Sequence, residues 1–372
     1  MHLVLAADDS RELLQRELSR VFAGASRELQ PGTFGCDVER EAPASLPRLV
    51  FARQILPGAR EVSAASIRSW AALLVDAVAG VLPDHQRWSL HVYPVEEQRG
   101  TTRMGARAWH TRARAGHPSQ LPPSPERSAV GAQRCRLIRE AAQELLQKRR
   151  RHLVRYLRKE QGPFVEDEAL VQLALLSPDR GFLSIAPAPL PFDQRHALSC
   201  FAGGHYEVAA DKRAPSRAFA KLVEAEARLG RRIAARESCV DLGAAPGSWT
   251  YVAAGRGAKV TAVDRSELRA DLAHHRSVRF QRGDAFRFEP ETPVDWLLCD
   301  VIAAAERSAE LILRWLERRW CRHFVVTLKV DDAGSDDVLQ RLERELPPLS
   351  SELWLLRLCA NKKEVCAFGT IA

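Results

Sequence analysis

Four aspartates and two glycines carry the most legible chemistry in this 372-residue chain. Val240-Asp241-Leu242 is a short apolar run around an acid, Gly243-Ala244-Ala245-Pro246-Gly247 is a turn of small residues, and Ser248-Trp249 opens a helix. A second apolar run, Val260-Thr261-Ala262-Val263, then ends at Asp264. Run, turn, helix and run make a βαβ unit, which takes ligands in the crevice outside its strand ends. Two later runs, over 278–281 and 296–300, place Asp284 and Asp300 in the same way. One such acid is usually a turn or cap residue, but four along the ends of successive strands form a set facing a ligand.

The glycine spacing narrows the ligand. A nicotinamide enzyme needs Gly-x-Gly-x-x-Gly to bring a helix N-terminus onto a pyrophosphate. Gly243 and Gly247 stand four apart with Pro246 between them, so the second glycine of that fingerprint is missing. S-adenosylmethionine (SAM) has no pyrophosphate and carries a sulfonium cation, which acidic strand ends suit. On this reading Asp264 takes the ribose hydroxyls, Asp284 the adenine amine, and Asp300 the methionine side near the reacting methyl. A methylase acting on a base amine needs a tetrapeptide such as Asn-Pro-Pro-Tyr after the fourth strand, and Asp300-Val301-Ile302-Ala303 offers none. Two alternatives stay open: an RNA-binding protein with a silent methyltransferase fold, and a SAM enzyme acting on another RNA.

The elements that must position these residues alternate regularly. A helix is predicted over 218–229, strands over 239–242, 259–263, 278–281, 296–300 and 324–330, and helices over 306–320 and 336–346. A hairpin-like pair over 353–358 and 365–369 closes a mostly parallel sheet. Upstream, strands are expected over 2–5, 49–55, 88–95, 170–176 and 182–185, with helices over 10–22, 66–81 and 137–157. Residues 186–209, rich in proline and glycine, look like a connection. Residues 96 to about 134 hold seven arginines and few aliphatic side chains, and read as a flexible basic insertion.

The net charge of +8 favours a polyanionic partner, nucleic acid ahead of membrane. The longest apolar run, 71–83, is broken by Asp76 and is too short to span a bilayer. Residues 1–7 meet Asp8 and Asp9 at once and lack a basic lead, unlike a signal peptide, so a cytoplasmic protein is expected. The eight cysteines are scattered without zinc-site spacing, so no metal is expected. The exposed run Lys148-Arg149-Arg150-Arg151-His152, continuing to Arg155, Arg158 and Lys159, reads equally well as a solvated face or a phosphate contact.

From residue 214 to 370 the chain resembles the FtsJ-like 2′-O-ribose methyltransferases. Within them it is most similar to the bacterial enzymes that modify a cytidine of 23S rRNA. The resemblance rests on Ala214-Pro215-Ser216-Arg217, Lys221-Leu222-x-Glu224-Ala225, Asp241-Leu242-Gly243-Ala244-x-Pro246-Gly247-x-Trp249-Thr250, Cys299-Asp300, Leu328-Lys329 and Glu364-Val365. In the first half, Leu49-Val50-Phe51-Ala52-Arg53-Gln54 adds to it. It implies an α/β region with a THUMP-like RNA-binding domain over 1–205, and a Rossmann-like, SAM-dependent FtsJ-like domain over 206–372.

The resemblance also implies a catalytic tetrad of Lys221, Asp300, Lys329 and Glu364, with Lys329 as general base. Cofactor contacts fall on Ser216, Ala245, Pro246, Gly247, Ser248, Asp264, Asp284 and Asp300. The implied partner is 23S rRNA, met before the subunit is complete, by a monomer without a membrane. Ala245 and Ser248 replace the usual cysteine and glycine; both are small, and Ser248 is expected to cap the helix that follows. A ribose hydroxyl is a poor nucleophile, so the site must remove its proton while aiming its oxygen.

Overall fold

A computed structural model describes residues 1–23, 25–37, 46–95, 129–160, 162–165, 167–190, 192–330 and 335–372. The expected basic insertion lies outside the described residues over 96–128, and its last stretch, 129–134, is helical. The chain divides into two compact units, Met1–Pro47 with Phe51–His205, and Arg48–Val50 with Tyr206–Ala372. Among the described residues no helix is long and apolar enough to cross a membrane.

The first unit holds two four-stranded sheets. β1 (His2–Ala6), β2 (Ser26–Gln30), β3 (Thr33–Cys36) and β4 (Ala52–Leu56) form an antiparallel sheet in the order β2-β3-β1-β4, with α1 (Arg11–Val21) between β1 and β2 in sequence. β5 (Arg60–Ser63), β6 (Arg87–Pro94), β7 (Glu168–Leu175) and β8 (Arg180–Ala186) form the second, in the order β5-β8-β7-β6. On it pack α2 (Ile67–Val81) and α3 (Ala129–Arg149), burying Trp70, Leu74, Val78, Ile138, Ala142 and Leu146. Ser66 starts α2 as expected, its Oγ accepting from Ser69 N at 3.1 Å.

The helix expected over 137–157 begins earlier and is broken. α3 ends at Arg149, and α4 (Arg151–Arg155) follows after Arg150, whose φ of −147° leaves the helical region. The break lets the chain turn onto the edge of β6, where Trp88 N donates to Tyr156 O at 3.1 Å and Arg158 N to Trp88 O at 2.8 Å. An otherwise open sheet edge is thereby covered. The short helix α5 (Phe192–Ala197) follows β8, and the unit runs on to His205.

The second unit is a seven-stranded sheet. It comprises β9 (Ser238–Leu242), β10 (Lys259–Asp264), β11 (Val278–Arg282), β12 (Val294–Cys299), β13 (Cys321–Lys329), β14 (Ser350–Leu356) and β15 (Glu364–Ile371), in the order β11-β10-β9-β12-β13-β15-β14. The first five run parallel, and the sequence order reverses between β10-β9 and β9-β12. Such a switch point opens a crevice at the carboxyl ends of the strands. β15 inserts antiparallel between β13 and β14.

The apolar pattern explains the layering. β9, β12 and β13 are nearly continuous buried runs, as strands covered on both faces must be. Cys239, Val260, Trp296, Leu298, Val325 and Phe368 pack against α6 (Phe219–Leu229), α7 (Ser248–Gly255) and α8 (Ala270–Ala273). The alternate positions Val240, Leu242, Leu297, Phe324 and Leu328 are equally buried and point the other way. There α9 (Ala305–Glu317) packs along β13, and α10 (Ser335–Glu345) along α9. Gly230, left-handed at φ 71°, ends α6.

Candidate active site

The turn between β9 and α7 needs its glycines. Gly243 sits at φ 73°, and a Cβ there would lie 2.1 Å from Val301 Cγ2. Gly247 sits at φ 110°, where a Cβ would lie 2.5 Å from Leu272 Cδ1. Only glycine fits either place. Gly243 N and Ala244 N both donate to Val263 O, at 2.9 and 3.2 Å, so the turn is bound to the tip of β10.

Asp264 ends β10 and completes that link. Its carboxylate accepts from Ala245 N at 3.0 Å and from Ser266 N at 2.7 Å. Each oxygen retains acceptor capacity for a ligand hydroxyl. Asp284 follows β11 and accepts from Phe286 N at 2.9 Å and from Arg265 Nη2 at 2.5 Å. The Phe286 N–H, with Arg265 and Arg307 nearby, outweighs its slight burial and holds its carboxyl below the ordinary value.

Asp241 behaves differently from the other three acids. Rather than standing at an open strand end, it lies inside β9, 1% exposed, and accepts from Thr250 Oγ1 at 2.6 Å. Burial pushes its carboxyl up to about 7; the Thr250 hydrogen bonds oppose this and the charges of Asp300 and Asp264 add to it. It is a buried acid beneath the turn, not a residue of the rim.

Ser248 is not the helix cap. Gly247 holds that position and Ser248 is the first helical residue, buried, with its Oγ 2.7 Å from Ser216 Oγ. The contact joins the start of α7 to the segment before α6, as does Trp249 Nε1 donating to Ala218 O at 2.8 Å. Ala245 is half-buried and Pro246 exposed at the rim.

The four residues of the implied tetrad meet beside this turn. Lys221 Nζ donates to Asp300 Oδ1 at 2.8 Å and Oδ2 at 3.0 Å, and lies 3.8 Å from Glu364 Oε1. Lys329 Nζ donates to the same Glu364 oxygen. The sheet register makes this pairing unavoidable, since Lys329 and Glu364 are directly opposed on β13 and β15. Thr327, two residues before Lys329 and on the same face, donates to Asp300 Oδ1 at 2.7 Å. Burial alone would raise the Glu364 carboxyl, but the Lys329 hydrogen bond, the Lys362 N–H and the charges of both lysines together bring it below its ordinary value.

The result is an alternating row of charges, Asp300, Lys221, Glu364, Lys329, at the carboxyl end of the sheet. The lysines differ: the Lys221 side chain is 11% exposed and bound by both Asp300 oxygens, whereas that of Lys329 is 28% exposed and meets one carboxylate. Lys329 is the one open to an incoming group.

Several residues of this site carry no role in the sequence reading. Thr327 is found only from the fold, and Thr250, though it ends a quoted motif, gains its role only from its hydrogen bond to Asp241. Glu224 stands in the quoted motif, and its place three residues after Lys221, on the same helix face, was the available signal.

Residues 214–325 match the family model of the FtsJ-like methyltransferases. Fold and family match together define the second unit as an FtsJ-like methyltransferase domain with a Rossmann-like sheet. Among relatives, the chain is 40% identical over 194 residues to the ribosomal RNA large subunit methyltransferase M of Halorhodospira halophila, covering 48% of this chain and 54% of that one. The proteins of the same name from Teredinibacter turnerae and Thauera aminoaromatica are 36% identical over 164 residues and 32% over 201, covering 42% and 51% of this chain and 45% and 55% of theirs. The chain spans about half the length of the curated relatives it matches.

Proposed function

We propose that this protein transfers the methyl group of SAM to a ribose 2′-hydroxyl of 23S ribosomal RNA, at a cytidine. The observation that carries the reading is the convergence of Lys221, Asp300, Lys329 and Glu364 beside the Gly243–Gly247 turn. The named relatives, which are large-subunit rRNA methyltransferases, supply the substrate class. The first unit serves as a THUMP-like RNA-binding region. The protein works as a monomer in the cytoplasm, on 23S rRNA before the subunit is complete.

The residues of the second unit fit the cofactor. Two glycines let the backbone come close, Asp264 and Asp284 offer acceptors to ribose hydroxyls and an adenine amine, and Asp300 places negative charge near a cation. Ser216, Ala245, Pro246, Gly247 and Ser248 line the same turn. When bound, SAM supplies an electrophilic methyl on a positively charged sulfur.

The protein's own residues supply the rest. Lys329 Nζ takes the 2′-hydroxyl proton and leaves the ribose oxygen the electron pair for its new bond to carbon, while the pair of the broken carbon–sulfur bond would stay on the sulfur of the departing cofactor product; the base role is worth about 10²–10⁴-fold in rate. Glu364 fixes the direction of Lys329 and compensates the ammonium that forms. Lys221, donating to both Asp300 oxygens, ties α6 to the end of β12 and keeps the Asp300 carboxylate beside the reacting groups. Thr327 and Lys221 together hold the Asp300 carboxylate in one orientation.

The test is to treat unmodified 23S rRNA with the full chain and isotopically labelled SAM, then locate the label by mass spectrometry. Label on one cytidine 2′-oxygen is expected, and label on a base or on protein overturns the reading. Asp264→Ala should weaken SAM binding in the same preparation; inactivation with full SAM affinity would remove Asp264 from the cofactor site.

A further inference from the structure

A second buried carboxylate lies one helical turn beyond Lys221. Glu224 is fully buried on α6 and accepts at least four hydrogen bonds. Arg228 donates to Oε1 through Nε at 3.0 Å and Nη2 at 2.8 Å, which satisfies the pair within the helix. The other two donors are backbone groups distant in sequence: Cys359 N to Oε1 at 3.0 Å and Ala360 N to Oε2 at 3.0 Å. Cys359 and Ala360 belong to the loop that joins β14 to β15 and delivers Glu364.

That loop has little regular structure of its own. Asn361 closes it locally, with Leu358 N donating to its Oδ1 at 2.7 Å and its own N–H to Leu358 O at 3.0 Å. At the far end Lys362 N donates to Glu364 Oε2 at 2.9 Å, and Val330 N to Lys363 O at 3.0 Å. Three residues separate Ala360 from Glu364, so a shift at Ala360 is passed directly to the carboxylate that binds Lys329. An ion pair buried this deeply adds little net stability against an apolar substitute. What the carboxylate adds here, through the Cys359 and Ala360 N–H groups, is a fixed distance between α6 and the loop.

We infer that Glu224 is a positioning residue, which ties the helix bearing Lys221 to the loop bearing Glu364 and so sets the two halves of the tetrad in register. The inference rests on the proposed methyl transfer for its kinetic consequence, though not for its structural one. Glu224→Gln keeps the shape of the side chain but removes the charge and turns one acceptor into an NH2 group that faces a donor.

Glu226 provides the control. It is buried on the same helix, but it accepts from Ile233 N at 2.9 Å and from Arg256, and among the described residues it has no partner in the tetrad or the 357–363 loop. Glu226→Gln should lower stability without touching the tetrad.

The experiment compares the two variants of the full chain with the parent. Amide hydrogen exchange is followed by mass spectrometry, together with SAM affinity and kcat on 23S rRNA. Glu224→Gln is expected to speed exchange over 357–364 and to lower kcat by more than about tenfold, as a misplaced catalytic group does, with SAM affinity unchanged. Glu226→Gln is expected to leave both unchanged even where its melting temperature falls further. Unchanged exchange over 357–364 in Glu224→Gln, or activity in both variants that merely follows their stability, overturns the inference. If the parent itself methylates no RNA, the proposed function fails, while the exchange result still decides whether Glu224 holds the loop.

Discussion

Replacing Asp241 with asparagine tests how the crevice floor is built. The folded protein raises this carboxyl from 3.8 to about 7, chiefly through burial, so the native chain keeps its proton where the unfolded chain has lost it. A change of about 3 units corresponds to about 4 kcal/mol. The sign follows from proton counting: the group's contribution is fully present below about pH 4 and is lost as pH rises through about 7. Asparagine cannot ionise, and its carbonyl can still accept from Thr250. Its NH2 brings a donor that costs about 1–3 kcal/mol if unpaired. Asp241→Asn should therefore be less stable than the parent near pH 4 and should close the gap, or reverse it, by pH 8. Exchange of the β9 amides at 238–242, compared between the two proteins at each pH, reads this local stability directly. Parallel behaviour of the two proteins from pH 4 to 8 would show that Asp241 does not titrate in this window and would refute the reasoning.

Two further outcomes follow from geometry and charge. Gly243→Ala meets both a left-handed backbone and Val301 Cγ2, and should cost about 2–6 kcal/mol, summing the strain and overpacking terms. Gly255→Ala, at a helical position with open space, should be neutral or stabilising; thermal melts of the two variants check the contrast. In the first unit, exposed Arg149, Arg151 and Arg155 lie on the helical segment that turns onto the edge of β6. If they meet RNA phosphates, each change to alanine should flatten the slope of log K against log salt by about 0.7–0.9, measured by titration with labelled RNA; an unchanged slope marks a solvated face.

The second unit was the more legible in sequence, for physical reasons. Its inner strands β9, β12 and β13 are apolar on both faces, and α6, α9 and α10 are strongly amphipathic, so local pattern and tertiary role agree there. The hairpin of β14 and β15 was visible, but its spatial order was not. In retrospect the continuous burial of β15 suits an inner strand and the half-exposed Ser350–Leu356 an edge. β2, β3 and β5 went unseen because Ser-Arg-Glu-Leu-Gln, Thr-Phe-Gly-Cys and Arg-Glu-Val-Ser carry little strand signal and are defined by their partners. At the site, spacing gave Asp264, Asp284 and Asp300, and resemblance gave Lys221, Lys329 and Glu364. The placement of Asp241 beneath the turn, and the Glu224 link to residues 359 and 360, depend on contacts that no local pattern encodes.

The central claim is that Lys329 takes the hydroxyl proton, and single-turnover methyl transfer at saturating SAM tests it most directly. Lys329→Ala removes the base; Lys329→Arg retains a cation for Glu364 but one that stays protonated. The account predicts that both variants bind SAM like the parent and lose about 10²-fold or more in the transfer rate. Transfer by Lys329→Arg at a rate close to that of the parent would contradict it, and would leave Lys329 as a fixed charge rather than the base.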